Sequence, residues 1–123
     1  MICNGVDLVE ISRFENLDPK IFVRFVNRVY TEAEKAICED RFICLAGRFA
    51  AKEAVSKALG TGIGIIRWKD IEILRGELGE PVLILHGKAQ KIARDKQLTN
   101  WAISISHGKE IAIAFVIATS ASD

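Results

Sequence analysis

Apolar and polar residues alternate loosely from Ile2 to Ile11, and this period of two predicts a first strand over residues 2–11. Cys3, Gly5, Asp7 and Val9 share one face of it. The period then changes. Phe22, Phe25, Val26 and Val29 recur at i, i+3, i+4 and i+7, one face of a helix, and Asp18-Pro19 supplies its N-cap and first residue. Thr31-Glu32-Ala33-Glu34 is a capping box opening a further short helix. An apolar segment from about Phe42 to Leu59 predicts a long helix that ends at Gly60. In the second half "DIEILRG", "PVLILHG", "WAISIS" and "IAIAFVIA" read as strands. "GELGEP" turns between the first two, "HGKE" between the last two, and "KAQKIARDKQ" is a surface helix separating the pairs. The sum predicts an α+β fold, a mostly antiparallel sheet with helices packed on one side. The last strand, Ile111 to Ala118, is apolar on both faces, where an antiparallel strand commonly keeps one face wet. Helices or another subunit must cover it.

The 123 residues contain no repeat, linker or low-complexity stretch, which predicts one domain over 1–123. A net charge of +1 argues against nucleic-acid binding through the general surface, so any basic character must be local. No apolar run is long enough to span a membrane. The N-terminus carries Asp7 in place of a signal peptide's basic start, and a cytosolic protein is expected. Cys3, Cys38 and Cys44 are odd in number and lack CxxC spacing, which predicts reduced, packed thiols.

Candidate chemistry centres on "LAGRFAAKEAVSKALGTGIG", Leu45 to Gly64. Glu53 and Lys57, four apart, would ordinarily be a surface pair. On a helical wheel, however, Glu53 lies between Ala46 and Phe49 with Phe42 nearby. A carboxylate on such a face needs a cation, a metal or hydrogen bonds. The glycines of "GTGIG" allow backbone N–H groups to approach phosphate oxygens, and a helix C-cap with a flexible turn explains them equally well. Asp7 reads as a solvated acid or a ligand, and His107, at a strand end, as a structural or a pocket residue. Lys20, Arg24 and Arg28 form a basic row with no acid to pair with it, and Arg13 lies just before them.

Taken together, "GVDLVEISRF", "LAGRFAAKEAVSKALGTGIG", "WKDIEIL…GEP" and "SISHGKEIAIAFVI", in that order over nearly the whole chain, resemble the holo-[acyl-carrier-protein] synthases. These are the small class of the phosphopantetheinyl transferase superfamily. The resemblance implies transfer of 4′-phosphopantetheine from coenzyme A to a serine of apo acyl carrier protein, releasing adenosine 3′,5′-bisphosphate, in support of fatty acid biosynthesis. It implies magnesium as cofactor with Asp7 and Glu53 as ligands. Lys57 would reach a phosphate oxygen and neutralise or protonate the leaving group, and His107 would line the same pocket. Arg48, Gly60, Thr61 and Gly62 follow as coenzyme A contacts, and Arg13, Lys20, Arg24, Phe25 and Arg28 as the docking surface for the acidic carrier. A homotrimer with sites between subunits is implied as well. Three competing readings are a transferase for a specialised-pathway carrier, a non-catalytic coenzyme A-binding module and a magnesium-dependent phosphohydrolase. The second is disfavoured by the joint presence of Asp7, Glu53 and Lys57. The third needs no basic docking helix.

Overall fold

The alternating residues Ile2–Glu10 form β1 of a computed structural model that describes residues 1–120. Five helices and four more strands follow: α1 (Ser12–Glu15), α2 (Pro19–Val29), α3 (Glu32–Cys38), α4 (Phe42–Leu59), β2 (Ile71–Arg75), β3 (Pro81–Leu85), α5 (Gly87–Asp95), β4 (Leu98–His107) and β5 (Ile111–Ser120). The helix starts are those that the local chemistry dictates. Asp18 accepts a hydrogen bond from the Lys20 N–H and Pro19 opens α2. Thr31 and Glu34 exchange side-chain and backbone bonds as a complete capping box. α4 closes on Gly60 in the left-handed region, φ 81°.

The strands do not make one sheet, as the sequence suggests. β1, β5 and β4 pair antiparallel in that order, while β2 and β3 form a separate two-stranded sheet. α4 lies between them as a core helix, with Leu45–Ala51 and most of the following residues buried. It packs closely on the three-stranded sheet because both partners are small at the contact. Ala50, Ala51, Ala54 and Ala58 face Gly5, Ala112, Ala114 and Ala118, all buried. A Cβ on Gly5 would collide with the Ala54 carbonyl oxygen, so this position requires glycine.

On its other side α4 is fastened by polar groups. Lys52, fully buried, donates to the carbonyls of Ile71 and Trp68 and pairs with buried Glu34 at 2.8 Å. Glu34 in turn accepts from the Ile73 N–H at 2.8 Å, and Arg48 Nε donates to the Ile73 carbonyl at 2.9 Å. Tyr30 Oη donates to the Leu45 carbonyl at 2.6 Å. Buried charges are tolerated when every polar atom finds a partner, and here each does.

One further expectation changes. Cys38 and Cys44 are joined by a disulfide rather than kept as separate thiols, and Cys3 is the free cysteine. The α3–α4 turn brings the pair together through left-handed backbone at Glu39 and Asp40, φ 50° and 60°. As expected, helices cover one face of the three-stranded sheet. On the opposite face Ile111, Ile113, Phe115 and Ile117 remain 36–44% exposed, beside Val6 and Leu8 of β1. Among the described residues no helix is long and apolar enough to cross a membrane.

Candidate active site

Close packing of α4 on β1 carries two carboxylates and an ammonium to one place. Asp7 sits on the inner face of β1 with Gly5 and Val9, as the strand period predicts. Glu53 and Lys57 lie one turn apart on α4. Lys57 does not pair with Glu53. Its Nζ stands 3.2 Å from Asp7 Oδ1 and donates to the Val6 carbonyl at 2.9 Å. Glu53 is half-buried and has no such partner among the described residues. Burial pushes its carboxyl above the usual carboxylate range, and the charge of Asp7 pushes the same way, while Lys57 and Arg13 pull it back. A half-buried carboxylate whose charge is disfavoured by a second carboxylate nearby makes a natural cation site.

No cluster of three or more metal-ligating side chains gathers among the described residues. Magnesium fits a smaller set, because it takes one or two carboxylates and completes its shell with water and substrate phosphates. Asp7 and Glu53 match that requirement.

At the N-terminal end of α4 opens a cavity of about 760 Å³, lined by the β1–α1 junction, the start of α4, the end of β4 and the β2–β3 turn; Asp7, Glu53 and Lys57 do not line it. Its cationic lining is Arg41, Arg48, Arg75 and Lys109, with His107 among them, against one acid, Glu15. His107 is two strands from Asp7 but on the same sheet face. It pairs with Ala112, itself opposite Val9, which puts its backbone roughly 10 Å from that of Val9 and, two residues further along β1, about 12 Å from that of Asp7 by strand spacing and rise. Burial, then the charge of Arg75, holds the Arg48 guanidinium below its ordinary range. The lining therefore suits a multiply charged anion.

The glycine turn lies elsewhere, at the far end of α4. The N–H of Gly60 donates to the Lys57 carbonyl, and those of Thr61 and Gly62 to the Ser56 carbonyl. These amides terminate the helix, so of the two readings of "GTGIG" the C-cap describes its geometry. Arg48 and His107 share the cavity; Gly60, Thr61 and Gly62 do not line it.

The basic row stands as expected on α2. Lys20, Arg24 and Arg28 are exposed, and none has a salt-bridge partner among the described residues. Arg28 continues into a second concavity with Arg67 and Lys69. Two members of the docking set are placed differently. Phe25 packs inward, 5.6 Å from both Phe14 and Phe49, because it belongs to the helix's core face. The exposed apolar side chains of α2 are instead Ile21 and Val23. Arg13 lies over the Phe49 ring at 5.9 Å and acts on Glu53, nearer the carboxylates than the row.

Sequence reasoning missed Arg41, Arg75 and Lys109. Each sits in a loop or at a strand end, and no periodicity links them. Only the closure of the fold does.

Residues 4–116 match the family model of the 4′-phosphopantetheinyl transferase superfamily. The chain is 44% identical to a holo-[acyl-carrier-protein] synthase of Herpetosiphon aurantiacus, over 95% of this chain and 98% of that one. To the corresponding protein of Carboxydothermus hydrogenoformans it is 42% identical, over 95% and 97%. The fold is similar to that of Helicobacter pylori holo-[acyl-carrier-protein] synthase solved in complex with coenzyme A, with a TM-score of 0.85 at 33% identity over 97% of this chain and 100% of that one. A Bacillus anthracis counterpart, in complex with coenzyme A (3′,5′-ADP), superposes with a TM-score of 0.78 at 36% identity over 97% and 96%. Sequence and fold agree: the chain belongs to the 4′-phosphopantetheinyl transferase superfamily, among its holo-[acyl-carrier-protein] synthases.

Proposed function

We propose that this protein transfers 4′-phosphopantetheine from coenzyme A to a serine hydroxyl of apo acyl carrier protein, leaving adenosine 3′,5′-bisphosphate. The observation that carries the reading is the approach of Asp7, Glu53 and Lys57 to one another, with a basic cavity at the N-terminal end of the same helix α4. In the reaction the serine oxygen attacks the pantetheine-side phosphorus, and the pyrophosphate bond to the nucleotide half breaks. Arg41, Arg48, His107 and Lys109 bind the anionic nucleotide half in the cavity. Asp7 and Glu53 hold a magnesium ion which, when bound, offsets the charge of the pyrophosphate. The Lys57 ammonium, more than half exposed and tethered to Asp7, has the freedom to turn towards the departing phosphate and neutralise it.

The exposed α2 row supports docking of an acidic carrier at Lys20, Arg24 and Arg28, with Ile21 and Val23 as apolar contacts between them. The bare apolar face of β1 and β5 supports association into a homotrimer. We place the protein in the cytoplasm and its carrier in fatty acid biosynthesis.

The test is chromatographic detection of adenosine 3′,5′-bisphosphate released from coenzyme A. Release should require apo carrier protein and stop once the carrier is consumed. Release at the same rate without carrier would replace the transferase reading with that of a hydrolase.

A further inference from the structure

The Cys38–Cys44 disulfide spans the α3–α4 turn with Cα atoms 5.3 Å apart, and the proposed transfer makes no use of it. Its two sulfurs have different surroundings. Cys38 is fully buried at the end of α3. Cys44 is half-buried, stands in the first turn of α4 and lines the cationic cavity. The α4 N-terminus lacks a side-chain cap, because Arg41 at that position has no acceptor atom; its guanidinium donates back to the carbonyls of Ile37 and Cys38. Arg48 Nη1 lies 3.3 Å from Cys44 Sγ. Once the disulfide is open, a thiolate at Cys44 meets an uncapped helix N-terminus and a guanidinium, the two features that favour a reactive thiolate. Cys38 sits at a helix C-terminus, which disfavours an anion, and reagents in solution cannot touch it.

We propose that Cys38 and Cys44 are a reversible dithiol–disulfide couple, in which Cys44 is the attacking thiol and its oxidant is an anionic low-molecular-weight disulfide admitted through the cationic cavity. The Cys44 thiolate attacks one sulfur of the oxidant, forming a mixed disulfide and expelling one thiolate. Cys38 gives up its proton to solvent and attacks the Cys44 sulfur, closing the protein disulfide and expelling the second thiolate. The protein loses two electrons and the oxidant gains them. Selection for an anion follows from Arg41, Arg48, Arg75 and Lys109 in the lining, opposed by Glu15 alone. The proposal goes beyond the transfer reaction and does not depend on it, since it concerns the cavity's charge and not what the cavity holds in turnover.

The experiment uses the full chain, reduced and freed of reductant, then reacted with glutathione disulfide or, separately, with the dicationic disulfide cystamine. Aliquots are quenched in acid and peptide-mapped by mass spectrometry, and each rate is divided by that of the same cysteine in the urea-unfolded chain. The expected result is closure of the Cys38–Cys44 bond, about tenfold or more faster in the folded than in the unfolded chain with glutathione disulfide. The advantage over cystamine should shrink with added salt. Cys38→Ser should retain one glutathione at Cys44, and Cys44→Ser should leave Cys38 unmodified. Should either variant misfold, the wild-type map decides alone. A Cys44 no faster folded than unfolded, or cystamine outpacing glutathione disulfide at low salt, would overturn the proposal.

Discussion

Glu53 is a carboxylate placed where folding disfavours charge, and its effect on stability has a definite sign. Burial and Asp7 raise its folded pKa. A group raised in this way favours the fold while protonated; that contribution is complete below the unfolded pKa and is lost as pH rises through the folded value. At neutral pH without metal, ionised Glu53 therefore costs stability. Glu53→Gln should raise the melting temperature by a few degrees while transfer collapses, and its stability advantage should vanish as pH falls into the carboxylate range. Thermal unfolding at pH 7 and pH 4 checks this; a less stable variant at pH 7 would contradict it. Asp7→Asn should abolish transfer as well, and on the proposal that both residues hold one ion the double variant should lose little beyond either single one. Lys57→Ala should lower kcat more than it weakens coenzyme A binding, as measured by single-turnover kinetics and calorimetry. Glu53 was legible in the sequence because it breaks the polarity of its own helix face. The partner of Lys57 was not. Helical spacing points to Glu53, whereas the fold supplies Asp7 from a strand fifty residues away. The Cys38–Cys44 bond was equally hidden, since it depends on two left-handed residues that no spacing announces.

At the scale of elements, α4 holds the site because it is fixed on both sides. Small residues seat it on β1 and β5, and Lys52 and Arg48 tie it to β2. Removing one partner of the buried pair strands the other. Lys52→Met should cost about 3–5 kcal/mol in denaturant unfolding, and adding Glu34→Leu should recover much of that loss. Equal or greater destabilisation of the double variant would mean that the pair itself, not an orphaned charge, sustains the fold. On α2, reversing Arg24 and Arg28 to Glu should raise the KM for carrier protein severalfold and leave coenzyme A binding unchanged. The salt dependence of transfer should largely disappear with it. Steady-state kinetics across ionic strength decides; wild-type carrier kinetics at low salt would move docking elsewhere. Both helices were readable, α2 from its cap and periodicity and α4 from its apolar run and the glycine that ends it. Lys52 was not, because a lysine in a sequence suggests solvent, and its burial depends on Glu34 and on carbonyls from a different element. The division into two sheets was hidden for the same reason: strand patterns give faces, not neighbours.

For the molecule as a whole, the doubly apolar β5 pointed from the start to a surface needing cover, and that surface remains open on the isolated chain. If copies of the chain meet there, Phe115→Glu should shift sedimentation from a trimer towards a monomer and lower transfer with it. A wild-type chain that sediments as a monomer would rule that assembly out. The cavity, assembled from four separate stretches of chain, emerged only when the strands paired. The account rests on group transfer directed by the two carboxylates, and intact-mass measurement of an apo acyl carrier protein, incubated with the protein, coenzyme A and magnesium, tests it most directly. One 4′-phosphopantetheine should be added at a single serine by the wild-type protein, and none by Glu53→Gln or in the presence of a chelator. A carrier of unchanged mass, or one modified equally well by Glu53→Gln, would contradict it.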